Sequence, residues 1–130
     1  MTDPDPSAAA AAELVEEVDA AGRVLRVVTR AEMRAAGLRH RCTYVAVVDG
    51  RDRLVVHQRA PWKDVWPGRW DLAFGGVVAP GEAWEQAARR ELREEAGIDA
   101  AVTEIGAGTY DDGVVSVLGR VFRADHDGPV

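Results

Sequence analysis

Hydrophobic residues in this chain fall in short β-branched runs divided by glycine and aspartate turns, and one longer stretch repeats them at helical spacing. Met1 to Ala12 is Asp/Pro followed by alanines and reads as a mobile tail. After Leu14, Val15 and Val18, the segment Asp19-Ala20-Ala21-Gly22 predicts a turn, and Val24 to Val28 predicts a strand. Arg30 to Gly37 predicts a short helix closed by glycine, with nothing in it that demands chemistry. Thr43 to Val48 and Arg53 to Gln58 predict a hairpin about the Asp49-Gly50 turn. Arg59 to Arg69 is a loop with two tryptophans, and Trp70 to Val78 predicts the strand leaving it. Thr103 to Gly108 and Val114 to Arg123 predict a second hairpin around Asp111-Asp112-Gly113. The strand from Val114 to Phe122 is almost wholly apolar, which suits a central position. Ala124 to Val130 reads as turn-like. No repeat or linker interrupts residues 13–130, so they predict one domain.

The helical stretch is Ala83 to Glu95, rich in strong helix formers. Pro80-Gly81 turns the chain before it, and Gly97 stops it. Trp84, Ala87, Ala88 and Leu92 form an apolar stripe. Residues three or four apart share a helix face, so Glu91 lies beside Glu94 and Glu95 at the edge of that stripe. Carboxylates gathered this way repel one another and call for a counter-charge. Hard divalent cations such as Mg²⁺ take oxygen ligands, commonly a few carboxylates plus substrate phosphates.

Composition narrows the setting. The 47% hydrophobic content supplies a core, and a net charge of −6 argues against a general electrostatic grip on nucleic acid. A phosphate substrate stays compatible, because a bound metal inverts the local charge. The single cysteine, Cys42, excludes an internal disulfide. No run suits a membrane span, and the N-terminus lacks the pattern of a secretory signal. The expectation is therefore a cytoplasmic protein with no membrane or nucleic-acid partner.

Gly76, Glu82 and the run Arg90-Glu91-Leu92-Arg93-Glu94-Glu95-Ala96-Gly97-Ile98 resemble the Nudix box, with every defined position filled. The resemblance implies an α/β fold, an α/β/α sandwich with a mixed sheet. It implies hydrolysis of a nucleoside diphosphate linked to another group, or of a related organic diphosphate. It implies Mg²⁺ or Mn²⁺ held by Glu91, Glu94 and Glu95, with Glu82 an outer or additional ligand. The base that takes a proton from water would be Glu94 or Glu95, and the sequence does not choose between them. Arg90 would orient the glutamates. Against that family the chain is short after Arg123, without the usual last strand and helix: either the fragment is truncated, or another copy or partner covers the exposed sheet face, with a homodimer favoured.

Residues around the box resemble one branch of the superfamily, the isopentenyl-diphosphate isomerases and isomerase-like Nudix hydrolases. The matching segments are Val28 to Arg41, Gln58-Arg59, and Lys63 to Asp71. The cysteine those isomerases use aligns with Gly75, and two of their histidines align with Val77 and Met33; only His40 matches. The chain thus reads as a hydrolase before an isomerase, with a non-catalytic metal or nucleotide binder as the alternative. Arg59, Lys63, His40 and Gly76 are the substrate-contact candidates. Trp62 and Trp66 could stack on a base, whereas Trp70 reads as structural.

Overall fold

The structure, a computed structural model, describes residues 6–63 and 68–128. Its centre is a four-stranded sheet made from β3 (His40–Val48), β6 (Phe74–Val77), β7 (Thr103–Asp111) and β8 (Ser116–Asp125), in the order β6-β3-β8-β7. β3 and β8 run parallel, from His40 opposite Val117 to Val48 opposite Asp125, and the other pairs are antiparallel. The sheet is therefore mixed, and the apolar β8 is indeed central. β7 lies at the far edge and is exposed along its whole length.

Side chains alternate across the pleat, and each face of the sheet has its own core. Val45, Val47, Phe74, Phe122 and Ala124 meet Ala88, Leu92 and Ala96 of α3 (Trp84–Ala96). On the other face Cys42, Val77, Val115 and Val117 meet Val15, Val28 and Met33. Those last three belong to β1 (Leu14–Val18), β2 (Val24–Thr29) and α2 (Arg30–Ala36), where β1 and β2 form a separate antiparallel ribbon. Leu92 and Phe74 are essentially inaccessible to solvent, so truncating either to Ala costs about 2–5 kcal/mol.

Local chemistry sets the helix ends. Thr29 caps α2: its hydroxyl accepts from the Glu32 N–H, and the Glu32 carboxylate accepts from the Thr29 N–H. Gly37 and Gly97 close α2 and α3 in the left-handed conformation. At the start of α3 the Gln86 side chain accepts from the Ala83 N–H at 3.4 Å.

Four expectations change. Pro6–Ala12 form a short helix, α1, where the sequence reads as a tail. The first hairpin is brief. Leu54 bridges Val48 and the Val55 N–H reaches the Val47 carbonyl, but β6 already occupies the edge of β3 from Val45 to Cys42. The returning chain therefore leaves, and β4 (His57–Gln58) pairs with β5 (Trp70–Asp71) instead. The strand expected over Trp70 to Val78 breaks between β5 and β6, where the Asp71 side chain accepts from the Ala73 N–H and bends the chain. Trp70 is 70% exposed, so it is no core residue; the sequence gives tryptophan's apolar area without its neighbours. Trp66 lies outside the described residues.

Candidate active site

Arg90 organises the start of the site. Near the middle of α3, its guanidinium donates to both oxygens of Glu82, at 2.8 and 2.9 Å. It also donates to Glu91 at 2.8 Å, to Glu94 at 3.3 Å, and to the Val77 carbonyl at 3.2 Å. One planar cation thus fixes three carboxylates relative to β6. A fork of five donors can do this, whereas the point charge of lysine cannot. Glu82 accepts in addition from the Ala79 N–H at 3.0 Å, and these bonds, Arg90 foremost, hold its carboxyl below the usual range. Its oxygens are committed to shaping the loop. Arg41 braces the same loop from outside, donating to the Glu82 carbonyl while paired with Glu16 at 2.9 Å.

Two glycines let α3 approach. A Cβ on Gly76 would stand 2.9–3.0 Å from the Glu91 carboxylate. A Cβ on Gly75 would collide with the Thr43 carbonyl oxygen. Gly76, expected as a substrate contact, thus has a second reason to be glycine: it makes room for Glu91. At the open edge of β6 the Gly75 N–H donates to Glu95 at 3.3 Å, and the Lys63 ammonium faces the other Glu95 oxygen at 3.8 Å.

Burial sets the electrostatics. The Glu91 side chain is 12% exposed and that of Glu95 18%, against 59% for Glu94. Burial pushes the Glu91 carboxyl up to about 7; Glu95 and Glu94 add to the push, and Arg90 opposes it. Burial also raises Glu95, opposed chiefly by Lys63. Two carboxyls are therefore held in a place that resists their charge.

They face a cavity of about 1070 Å³. Alternate residues of β3, namely His40, Cys42 and Tyr44, line it, as do Arg59, Trp62 and Lys63 from the loop and Arg30 and Arg34 from α2. The structure thus brings Glu91, Glu94, Glu95, Arg90, Arg59, Lys63, Gly76 and His40 around one space. Glu82 is not among its lining residues. His40 is fully buried, with Nδ1 3.0 Å from the Leu38 carbonyl. Arg59 lies 3.7 Å from Asp71, and Lys63 sits over the Trp62 ring at 4.9 Å. Burial drives the Cys42 thiol up to about 12, leaving it protonated at neutral pH. Arg30, Arg34 and Tyr44 were not expected here. The i,i+4 spacing of the two arginines was the one available signal, and it does not say which way α2 faces.

Among the described residues, no three His, Cys, Asp or Glu side chains are gathered closely enough to hold a metal ion. The donor set still fits a hard divalent cation. Three carboxylates border one cavity, and the two most buried are penalised for charge that a cation would neutralise.

The sequence from residue 38 to 128 matches the NUDIX domain. An uncharacterised Nudix hydrolase of Pseudomonas aeruginosa is 41% identical over 124 residues, covering 95% of this chain and 73% of that protein. One of Yersinia pestis is 39% identical over 122 residues, covering 93% and 67%. Among solved structures, DR0079 of Deinococcus radiodurans superposes with a TM-score of 0.77 at 24% identity, covering 91% of this chain and 75% of that one. The MutT protein of Methanosarcina mazei gives 0.63 at 23% identity, over 69% and 66%. The last two likenesses concern the fold; the domain match and the two bacterial relatives place this chain in the Nudix hydrolase family.

Proposed function

We propose that this protein hydrolyses a diphosphate linkage in a nucleoside diphosphate derivative or a related organic diphosphate, with Mg²⁺ or Mn²⁺ bound by Glu91, Glu94 and Glu95. One observation carries the reading: Glu91 and Glu95 are buried against a glycine strand, at the wall of a cavity sized for an organic ligand, in a place that disfavours their charge unless a cation joins them. A bound metal would supply Lewis-acid stabilisation of phosphoryl charge and an acidified water.

The chain's own groups do the rest. Arg90 positions Glu91 and Glu94 and is not itself a reacting group. Arg59 and Lys63 lie beside Asp71 and Glu95 and turn their charge toward the phosphates when substrate enters. Glu94, the most exposed of the three, or Glu95 takes the proton. Within the family the chain sits best with the isomerase-like Nudix hydrolases. Isomerase chemistry itself fits poorly, because a Cβ at Gly75, where those enzymes place cysteine, would meet the Thr43 carbonyl oxygen.

The test is product release from a panel of nucleoside diphosphate sugars, dinucleotides and isoprenoid diphosphates, with Mg²⁺, with Mn²⁺ and with chelator. Metal-dependent cleavage of a panel member, lost in Glu94→Gln, is expected. Metal-dependent binding without turnover would instead mark a binding protein.

A further inference from the structure

The cavity has a second charged wall. Arg30 and Arg34 stand one helical turn apart on α2, both lining the cavity, and neither belongs to the Nudix box. The Arg30 side chain is only 13% exposed, with the Glu13 carboxylate at a loose 4.0 Å. Between the two walls runs β3. Cys42 of β3 lines the same cavity as Arg30, Arg34 and Glu91.

We propose that Arg30 and Arg34 form a site for a second anion, a phosphate or comparable group carried on the part of the substrate remote from the diphosphate. The proposal rests on the glutamate wall being where the diphosphate lies. Arg59 and Lys63 already supply cations at that end, beside Asp71 and Glu95. At about 1070 Å³ the cavity slightly exceeds the roughly 300–1,000 Å³ that encloses drug-sized ligands, so it has room for an attached group beyond the diphosphate. Val77, Val115 and Val117 also line it, and α2 contributes two planar guanidiniums. Arginine forks match phosphate oxygens two at a time, and in a half-buried setting such bonds are roughly twice as strong as neutral ones.

The test is calorimetric titration, with Mg²⁺ present, of adenosine 5′-monophosphate and adenosine 2′,5′-bisphosphate, neither of which contains a diphosphate to cleave. Wild type should bind the bisphosphate about tenfold or more tightly, the scale of one good charge-assisted pair. Arg34→Gln and Arg30→Gln should each remove most of that preference. Arg34→Lys should retain part of it. Arg123→Gln, a surface cation on β8, should retain all of it, and thermal melts report whether each variant folds. Equal affinity of wild type for the two ligands, or a preference that survives in both glutamine variants, overturns the proposal. A preference that holds in a protein that cleaves nothing would keep this site and discard the hydrolase reading. Cleavage without any preference would do the reverse.

Discussion

The glutamate wall and the α2 wall border the same cavity but are built in opposite ways. On the first, Arg90 holds Glu82, Glu91 and Glu94 in fixed relation, and Gly75 and Gly76 bring β6 against Glu95 and Glu91. The residues doing this lie close together in sequence, on β6, the loop after it and α3. On the second, a short capped helix brings two arginines to the cavity, and the residues packed with its Met33 come from several segments. A reaction common to a family needs the first kind of wall, with angles fixed by local bonds. Selection among attached groups can be left to the second, which can change without disturbing the first.

The comparison breaks first at the glutamates. Glu95→Gln should lower kcat about 10³-fold, the effect of losing several kcal/mol of stabilisation, while circular dichroism stays native. A loss below tenfold would remove Glu95 from the chemistry. Gly76→Ala is next: the new Cβ meets the Glu91 carboxylate and must displace it. Because a misplacement near 1 Å can cost about 10²-fold in rate, a fall of that order is expected in steady-state assays. Gly75→Ala acts on stability, since backbone rather than a movable side chain stands in the way. It should lower the unfolding free energy by about 1–3 kcal/mol in urea melts.

A subtler effect follows from Glu91. Its carboxyl titrates near 7 when folded, against 4.5 as the ordinary value. Between those pH values the folded state binds more protons than the unfolded one, so stability is highest below 4.5 and falls as pH rises through 7. In chelator, Glu91→Gln should therefore gain on wild type between pH 5 and pH 8, by on the order of 1 kcal/mol. A constant difference across that range would deny the strain. The smallest effect concerns Cys42: native protein should resist iodoacetamide, and unfolded protein should react fully.

Much of the first wall was legible in the sequence, and little of the second. α3 was readable because helix formers, the apolar stripe and the closing Gly97 are all local. The central place of β8 followed from the nearly all-apolar stretch between Val114 and Phe122. The hairpin beyond Asp49-Gly50 was over-extended because β6, distant in sequence, takes the same edge of β3. Trp70 was misplaced for a related reason: an aromatic residue declares its area, while the neighbours that bury or expose it come from elsewhere. Arg30 and Arg34 carry no motif, and only the packing of Met33 beside Val15 and Val28 turns their helix toward the cavity. The role of Gly76 was half visible. Its place in the motif was plain, but the close approach of the Glu91 carboxylate is set by how α3 packs on β6.

The most direct measurement of the central claim is hydrolysis of the best panel substrate in water enriched with ¹⁸O, with Mg²⁺ and with chelator, followed by mass spectrometry of the products. The account predicts one ¹⁸O in a phosphate-containing product with Mg²⁺ and no product with chelator or in Glu95→Gln. Products that form equally with chelator, or undiminished in Glu95→Gln, would contradict it.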